Sequence, residues 1–378
     1  MTHSLTALVI GGTGPTGPFV IAGLLQRGYR VTMLNRGHHE TGAVPNSVER
    51  IYADAFSADQ LCSALSDRTF DLALVMYGRT RDTVRLLQGR VGKLVTVGGN
   101  PVYLGHGTPA ARDPAGLPVP AREGDQLADS EPGPQTNTKI ARMVLTEKTI
   151  FECHPTATHF RYPTIYGPRQ VMPREWMVLR RLLDGRRHII LPDGGLTLRT
   201  VAYSENAASA LIAAVDRSEL AAGQTYNVCD DWTPTLRQFV EILSAAVGRE
   251  IEIIDMPFDL ATPAWPLMLY ADPFHRLTPH DKAFYQLGHV NPVSVHEGYA
   301  RTARWLLDNP PENAAYISRS GDPFDYEAED RLISAWQSAR RGLAPFAQQA
   351  STGYVDRYNA AFDAGEGGPR EWVLLPRQ

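Results

Sequence analysis

In the N-terminal third of the chain, apolar positions fall into short unbroken runs, and between the runs their spacing becomes helical. The run ALVIGG (7–12) ends in glycines. Residues 17–28 place Phe19, Val20, Leu24 and Leu25 on one helical face and stop at Gly28. RVTMLN (30–35), SVERIYAD (47–54), DLALVMY (71–77) and KLVTVGG (93–99) repeat the strand signal, with helical segments over 57–66 and 79–90. A strand that is apolar on both faces must be covered on both, and strands alternating with helices pair in parallel. The pattern predicts an α/β fold built on a doubly wound parallel sheet.

The rhythm changes after the fifth strand. Residues 105–135 form a long loop rich in Gly, Pro, Ala and charge, and a helix over 136–150 follows. THFRYPTIYG (158–167) reads as a sixth strand and its exit loop. Helices over 174–185 and 205–216, a strand at 225–228, a helix over 235–248 and a strand at 251–257 come next. Residues 257–280 are dense in proline and aromatics. A helix over 296–308 precedes the break NPPEN, and the tail 314–378 holds one helix, 326–341. The expected division is a cofactor-binding part over 1–170, completed by about 198–230. A smaller α/β substrate part takes 171–197 and 231–312, and a helical C-terminal extension takes 313–378.

Composition narrows the function. The 378 residues are 43% hydrophobic and 21% charged with a net charge of −4. No basic excess points to nucleic acid or to an anionic membrane surface. No apolar run is long enough to cross a membrane, and the first residues read as a strand and not a signal peptide, so a cytoplasmic protein is expected. Cys62, Cys153 and Cys229 are far apart, form no metal-binding spacing, and are expected to be buried free thiols.

The chemistry starts at GGTGPTG, with Gly11, Gly14 and Gly17 three apart between a strand and a helix. Glycine permits a tight turn and close approach of backbone N–H groups to a pyrophosphate, and the helix N-terminus favours its charge. Gly11, Thr13, Gly14, Pro15, Thr16 and Gly17 are therefore candidate dinucleotide contacts. The second strand ends Asn35-Arg36, where a carboxylate would select NAD; a guanidinium suits a 2′-phosphate, so NADP(H) is the expected cofactor. Asp54, after the third strand, is placed either to meet the adenine or to shape a turn.

Further motifs follow in order: Pro120-x-x-Glu123-x-Asp125, Lys139, Arg161-Tyr162-Pro163-Thr164-Ile165-Tyr166-Gly167-Pro168, Leu198-Arg199-Thr200-Val201, Glu205, Tyr226-Asn227-Val228, and Leu287-Gly288 with Trp305. With the glycine turn, this set resembles the extended, epimerase/dehydratase-like branch of the short-chain dehydrogenase/reductase superfamily, over about residues 5–310. The resemblance implies a Rossmann-like fold and adds Tyr162 and Lys139 to the cofactor shell. It also implies a catalytic tyrosine four residues before the lysine and a hydroxyl residue after the fifth strand. Here those positions hold Gln135 and Gly99. An amide is no comparable proton donor and glycine has no side chain, so the family's usual proton chemistry is unsupported.

Three readings stay open. In the first, a reductase moves a hydride from NADPH to a small, largely apolar metabolite, with proton handling centred on Lys139 and a partner among Tyr103, Asn100, His106 and Tyr166. In the second, the chain is a nucleotide-sugar epimerase or dehydratase. In the third, it binds NADP(H) without turnover, as a sensor or scaffold. Arg199 is either a contact to a substrate phosphate or to a cofactor edge, as the resemblance implies, or a surface ion-pair residue. Phe258, Trp265, Met268, Leu269, Tyr270 and Phe274 suggest either core packing or an apolar substrate wall. The aromatic tail either covers the pocket or packs against a second subunit in a homodimer.

Overall fold

The computed structural model describes residues 4–37, 42–134 and 136–350. The predicted alternation is present: β1 (Thr6–Ile10), α1 (Gly17–Gln26), β2 (Arg30–Asn35), β3 (Glu49–Tyr52), α2 (Ala58–Leu65), β4 (Phe70–Val75), α3 (Thr80–Leu86) and β5 (Val91–Gly99). Past the long loop come α4 (Thr138–Cys153), β6 (Thr158–Tyr162), β7 (Thr164–Tyr166), α5 (Glu175–Leu183), β8 (His188–Pro192) and β9 (Val201–Tyr203). Then follow α6 (Ser204–Asp216), α7 (Ser218–Ala221), β10 (Thr225–Asn227), α8 (Leu236–Val247) and β11 (Glu252–Met256). Helices α9 (Trp265–Met268), α10 (Asp281–Leu287), α11 (Val295–Asp308) and α12 (Asn313–Ser320) complete a compact unit ending at Phe324. A second unit begins at Asp325 and contains α13 (Tyr326–Gln349).

Seven strands form one parallel sheet in the order β10-β6-β5-β4-β1-β2-β3, a Rossmann-like doubly wound arrangement. The unbroken apolar runs have a direct cause. In β1, Ala7 and Val9 enter one core with α1 and α6, while Leu8 and Ile10 enter the other with α2, α3 and α4. Both faces are buried, so the period-two polar signal of a half-exposed strand never develops. The chain reverses direction across the sheet between β1 and β4, which opens a crevice at their C-terminal ends.

Several elements differ from the sequence pattern. The exit from the sixth strand is itself a short strand: Pro163 has no N–H to give, and the chain leaves the large sheet there as β7, which pairs with β9. β8 and β9 are not evident in the sequence pattern, because each is short and its parallel partner (β11 and β7) lies far away in the chain. α13 runs past 341 to Gln349 with Pro345 inside it. Cys62 is exposed rather than buried, since α2 turns Leu61 and Leu65 inward and Cys62 outward. The tail aromatics beyond residue 350 lie outside the described residues.

One buried ion pair fixes α4 to the sheet. The Arg161 guanidinium, on β6, donates to both Glu147 carboxylate oxygens at 3.0 and 2.5 Å. It also donates to the Tyr103 hydroxyl at 2.8 Å and to the Glu123 carbonyl at 3.0 Å. Removing one partner of a buried pair leaves an uncompensated charge. Glu147→Ala should therefore destabilise the chain by about 3–5 kcal/mol in urea unfolding. Arg161→Met combined with Glu147→Leu should recover much of that loss.

Candidate active site

A cleft of about 1080 Å³ runs along the C-terminal ends of the sheet. In sheet order its lining begins with Ala53 and Ala55 after β3, then Asn35 and Arg36 at β2 and the glycine turn after β1. It continues with Met76 and Tyr77 after β4, Val97–Pro101 at β5, and Tyr162–Ile165 at β6 and β7. Lys139, Met143, His106, Arg169, Gln170, Val171, Arg199, Thr200, Leu269, Tyr270, Arg276 and Arg319 complete it.

The glycine turn fits a dinucleotide. Gly11 adopts φ +97°, and its carbonyl accepts from the Gly14 N–H at 3.2 Å. Gly14 faces open space: an added Cβ would meet nothing closer than the Gly11 carbonyl at 3.5 Å. Gly17 does not line the cleft. An added Cβ there would lie 2.2 Å from the Gly12 carbonyl oxygen, so its role is close helix–strand packing. α1 follows its N-cap Thr16, which makes no side-chain cap; the Gly17 N–H donates to the Gly14 carbonyl at 3.1 Å and Pro18 carries no N–H. Thr13, Pro15 and Thr16 line the cleft.

Asn35 accepts from the Gly37 N–H at 3.0 Å and so shapes the turn that presents the exposed Arg36. Asp54 takes the turn role of its two alternatives. Its carboxylate accepts from the Phe56 N–H at 3.0 Å, and it does not line the cleft. Tyr162 lines the cleft, with its hydroxyl donating to the Ala207 carbonyl at 3.4 Å.

Across the switch point, Asn137 caps α4 by accepting from the Ile140 N–H at 3.0 Å, which sets Lys139 on the first turn, exposed to the cleft. Gln135 lies outside the described residues. At Gly99 an added Cβ would meet the Met143 methyl at 2.8 Å, so Met143 fills the volume beside the missing hydroxyl. Asn100 is buried at the cleft wall, its amide 3.4 Å from the Thr278 hydroxyl. His106 lines the cleft too, and its Nδ1 is buried without a partner.

Tyr103 and Tyr166 are not brought to the cleft. Tyr103 is 1% exposed, donates to Asn227 at 2.7 Å, and burial pushes its hydroxyl up to about 12. Tyr166 is equally buried, donates to Asp230 at 2.8 Å and stacks on Tyr299. Of the aromatic segment, only Leu269 and Tyr270 among the six suggested residues reach the cleft, while Phe258 and Trp265 stack on each other elsewhere. The cleft wall there is cationic.

Arg276 donates bidentately to Asp272 at 2.7 Å and through Nε to the His106 carbonyl at 2.6 Å. Arg199 donates through Nη2 to the Asp272 carbonyl at 3.0 Å, and its Nε and Nη1 are buried without partners. Both guanidiniums lie over the Tyr270 ring, Arg276 at 4.1 Å and Arg199 at 5.0 Å. Burial, then the charge of Arg276, brings Arg199 down to about 10. Arg169 also lines the cleft, in a left-handed conformation with φ +65° and an unpartnered buried Nε. Sequence reasoning flagged Arg199 but missed Arg169, the residue directly after the motif at 161–168, and Arg276 and Arg319, which lie outside the quoted motifs. Among the described lining residues there are six basic side chains (Arg36, Lys139, Arg169, Arg199, Arg276 and Arg319) and no carboxylate.

No protein-family model and no curated protein sequence matches the chain. Solved structures do. The UDP-glucose 4-epimerase with UDP-glucose from Thermotoga maritima is 16% identical, with 81% of this chain covering 99% of that one at a TM-score of 0.63. The UDP-glucose 4-epimerase from Bifidobacterium longum in complex with NAD+ and UDP is also 16% identical, over 81% and 99%, at 0.62. The dTDP-glucose 4,6-dehydratase from Bacillus anthracis in complex with NAD is 16% identical, over 81% and 97%, at 0.60. The chain has the extended Rossmann fold of the NAD-dependent epimerases and dehydratases.

Burial, reinforced by Arg276 and Arg199 and only partly offset by Asp272, lowers His106 to about 3. Burial lowers His159 and His289 to about 4. The unfolded chain therefore binds protons below about pH 6.5 that the folded chain refuses. Stability should be full above that pH and fall by up to about 1.4 kcal/mol per pH unit for each histidine down to about pH 4. Urea titrations at pH 7, 6 and 5 check this, and His106→Gln should flatten the slope.

Proposed function

We propose that this chain is an NADP(H)-dependent oxidoreductase whose substrate is a small molecule carrying a phosphate or carboxylate. The observation that carries this reading is the cleft lining: one continuous cleft, six cations and no carboxylate among the described residues. An anion entering it gains charge-assisted hydrogen bonds that Arg199 Nε and Nη1 otherwise lack. The earlier expectation of a largely apolar substrate gives way to this one.

The division of labour follows the sheet. Residues 1–170, with 198–230, hold the dinucleotide; 171–197 and 231–312 surround the substrate. Gly11, Thr13, Gly14 and Thr16 would cradle the pyrophosphate, with Arg36 at the 2′-phosphate. When bound, the nicotinamide supplies or accepts a hydride. Lys139 stands on the first turn of α4, where it can hold the ribose or hand a proton to the substrate. Asn100 and a neutral His106 supply uncharged hydrogen-bonding groups beside it. Met143 and Gly99 keep that wall apolar.

An epimerase or dehydratase acting on a nucleotide sugar is the second reading, and the unpartnered nitrogens of Arg199 favour it, since a diphosphate would satisfy them. The cofactor separates the two. Such an enzyme would retain NAD through purification, visible after denaturation by its absorbance and mass. The reductase should instead arrive empty and bind NADPH reversibly.

Titration by nicotinamide fluorescence should give micromolar or tighter NADPH binding. Arg36→Ala should weaken NADPH by about ten- to a hundredfold and leave NADH nearly unchanged. An equal loss for both cofactors would contradict the NADP(H) assignment. With a substrate in hand, Lys139→Met should abolish turnover while NADPH binding drops by no more than about tenfold.

A further inference from the structure

The motif resemblance ends near residue 310, yet the next segment reaches the cleft. Helix α12 is held firmly. Its N-cap Glu312 accepts from the Ala314 and Ala315 N–H groups at 3.1 and 2.7 Å. Arg180 donates to Asn313 at 2.8 Å. Tyr316 is buried and its hydroxyl donates to the Pro173 carbonyl at 2.8 Å. Beyond the helix, Asp322 accepts from the Arg181 guanidinium at 2.7 and 3.2 Å with both side chains buried. The Arg180 and Arg181 guanidiniums lie over the Phe324 ring at 5.3 and 5.1 Å.

Arg319 stands one turn beyond Tyr316 and lines the cleft. The Tyr316 anchor grips Pro173, four residues from Arg169, whose Nε is buried without a partner. We propose that Arg319 is a specificity-determining residue which, with Arg169, selects ligands that present a phosphate group. The inference rests on the cleft being an anion site. It adds that the segment beyond the motif-bearing region contributes to that site.

Phosphate can come from the cofactor or from the substrate, and the two sources share one chemistry. A purely local role is the competing account: an arginine in the last turn of α12 also complements the helix dipole. That role predicts a small loss of thermal stability and unchanged binding.

The test uses the full chain with Arg319→Gln, Arg319→Glu and Arg169→Gln, and with Arg217→Glu as a charge-matched control at an exposed site away from the cleft. NADPH is titrated by fluorescence, and inorganic pyrophosphate by calorimetry into the NADPH-saturated protein. We expect Arg319→Gln and Arg169→Gln each to weaken one of these ligands by about five- to tenfold, and Arg319→Glu to weaken it further. Loss confined to NADPH assigns the phosphate to the cofactor, and loss confined to pyrophosphate assigns it to the substrate side. Affinities within about twofold of wild type for both ligands, or an equal loss in Arg217→Glu, overturn the proposal. If wild-type protein binds neither ligand, the cleft reading itself falls, and the Arg319 proposal falls with it.

Discussion

A guanidinium cut off from water must find all its partners within the protein, and Arg161 does so by joining four parts of the chain. From β6 it reaches Glu147 on α4, the Tyr103 hydroxyl on the loop after β5, and the Glu123 carbonyl further along that loop. Tyr103 passes the connection to Asn227 on β10, whose N–H also donates to the Glu123 carboxylate at 2.8 Å. Everything facing the cleft on this side hangs from that node. It sets the rotation of α4, and hence where Lys139 and Met143 point. It also ties the loop after β5, which carries Asn100 and His106, at Tyr103 and again at Glu123. Because a half-satisfied buried network is costly, losing one member weakens the hold on every element it joins.

The arginine layer at the other wall follows the opposite logic. Asp272 is fully engaged by Arg276 and reaches Arg199 only at 3.8 Å, so one carboxylate serves two cations. Both guanidiniums lie over the Tyr270 ring, and their charge adds to burial in keeping the His106 imidazole neutral. Such an arrangement is costly without a ligand. Its unpartnered nitrogens are the part of the molecule that an anion would complete.

Much of the fold was legible because its rules are local. Strand–helix alternation, the glycine turn and the Asn35-Arg36 strand end each announce themselves within a few residues. The strands β8 and β9 did not, because short parallel strands are defined by partners far along the chain. The site divided in the same way. The candidate cofactor residues near β1 and β2 were readable from spacing and line the cleft, whereas Asp54 and Gly17 do not: turn geometry engages the one and helix–strand packing the other. Tyr103 and Tyr166 looked like donors because they sit in motif positions near the right sheet edge. Burial, which a sequence does not print, takes both out of reach. The arginines converge from four separate segments, and no periodicity links residues 169, 199, 276 and 319.

The concentration of cations in the cleft has a kinetic side. The chain as a whole carries a net −4, so an approaching anion meets weak repulsion at long range. Within a Debye length, about 8–10 Å at physiological salt, the cleft reverses that field and focuses it inward. For an anionic ligand of the kind proposed, capture would then be a short-range event, with a wrong-facing encounter rejected and a cleft-facing one drawn in. Ionic strength therefore acts on two opposed fields, and their balance decides how fast an anion arrives.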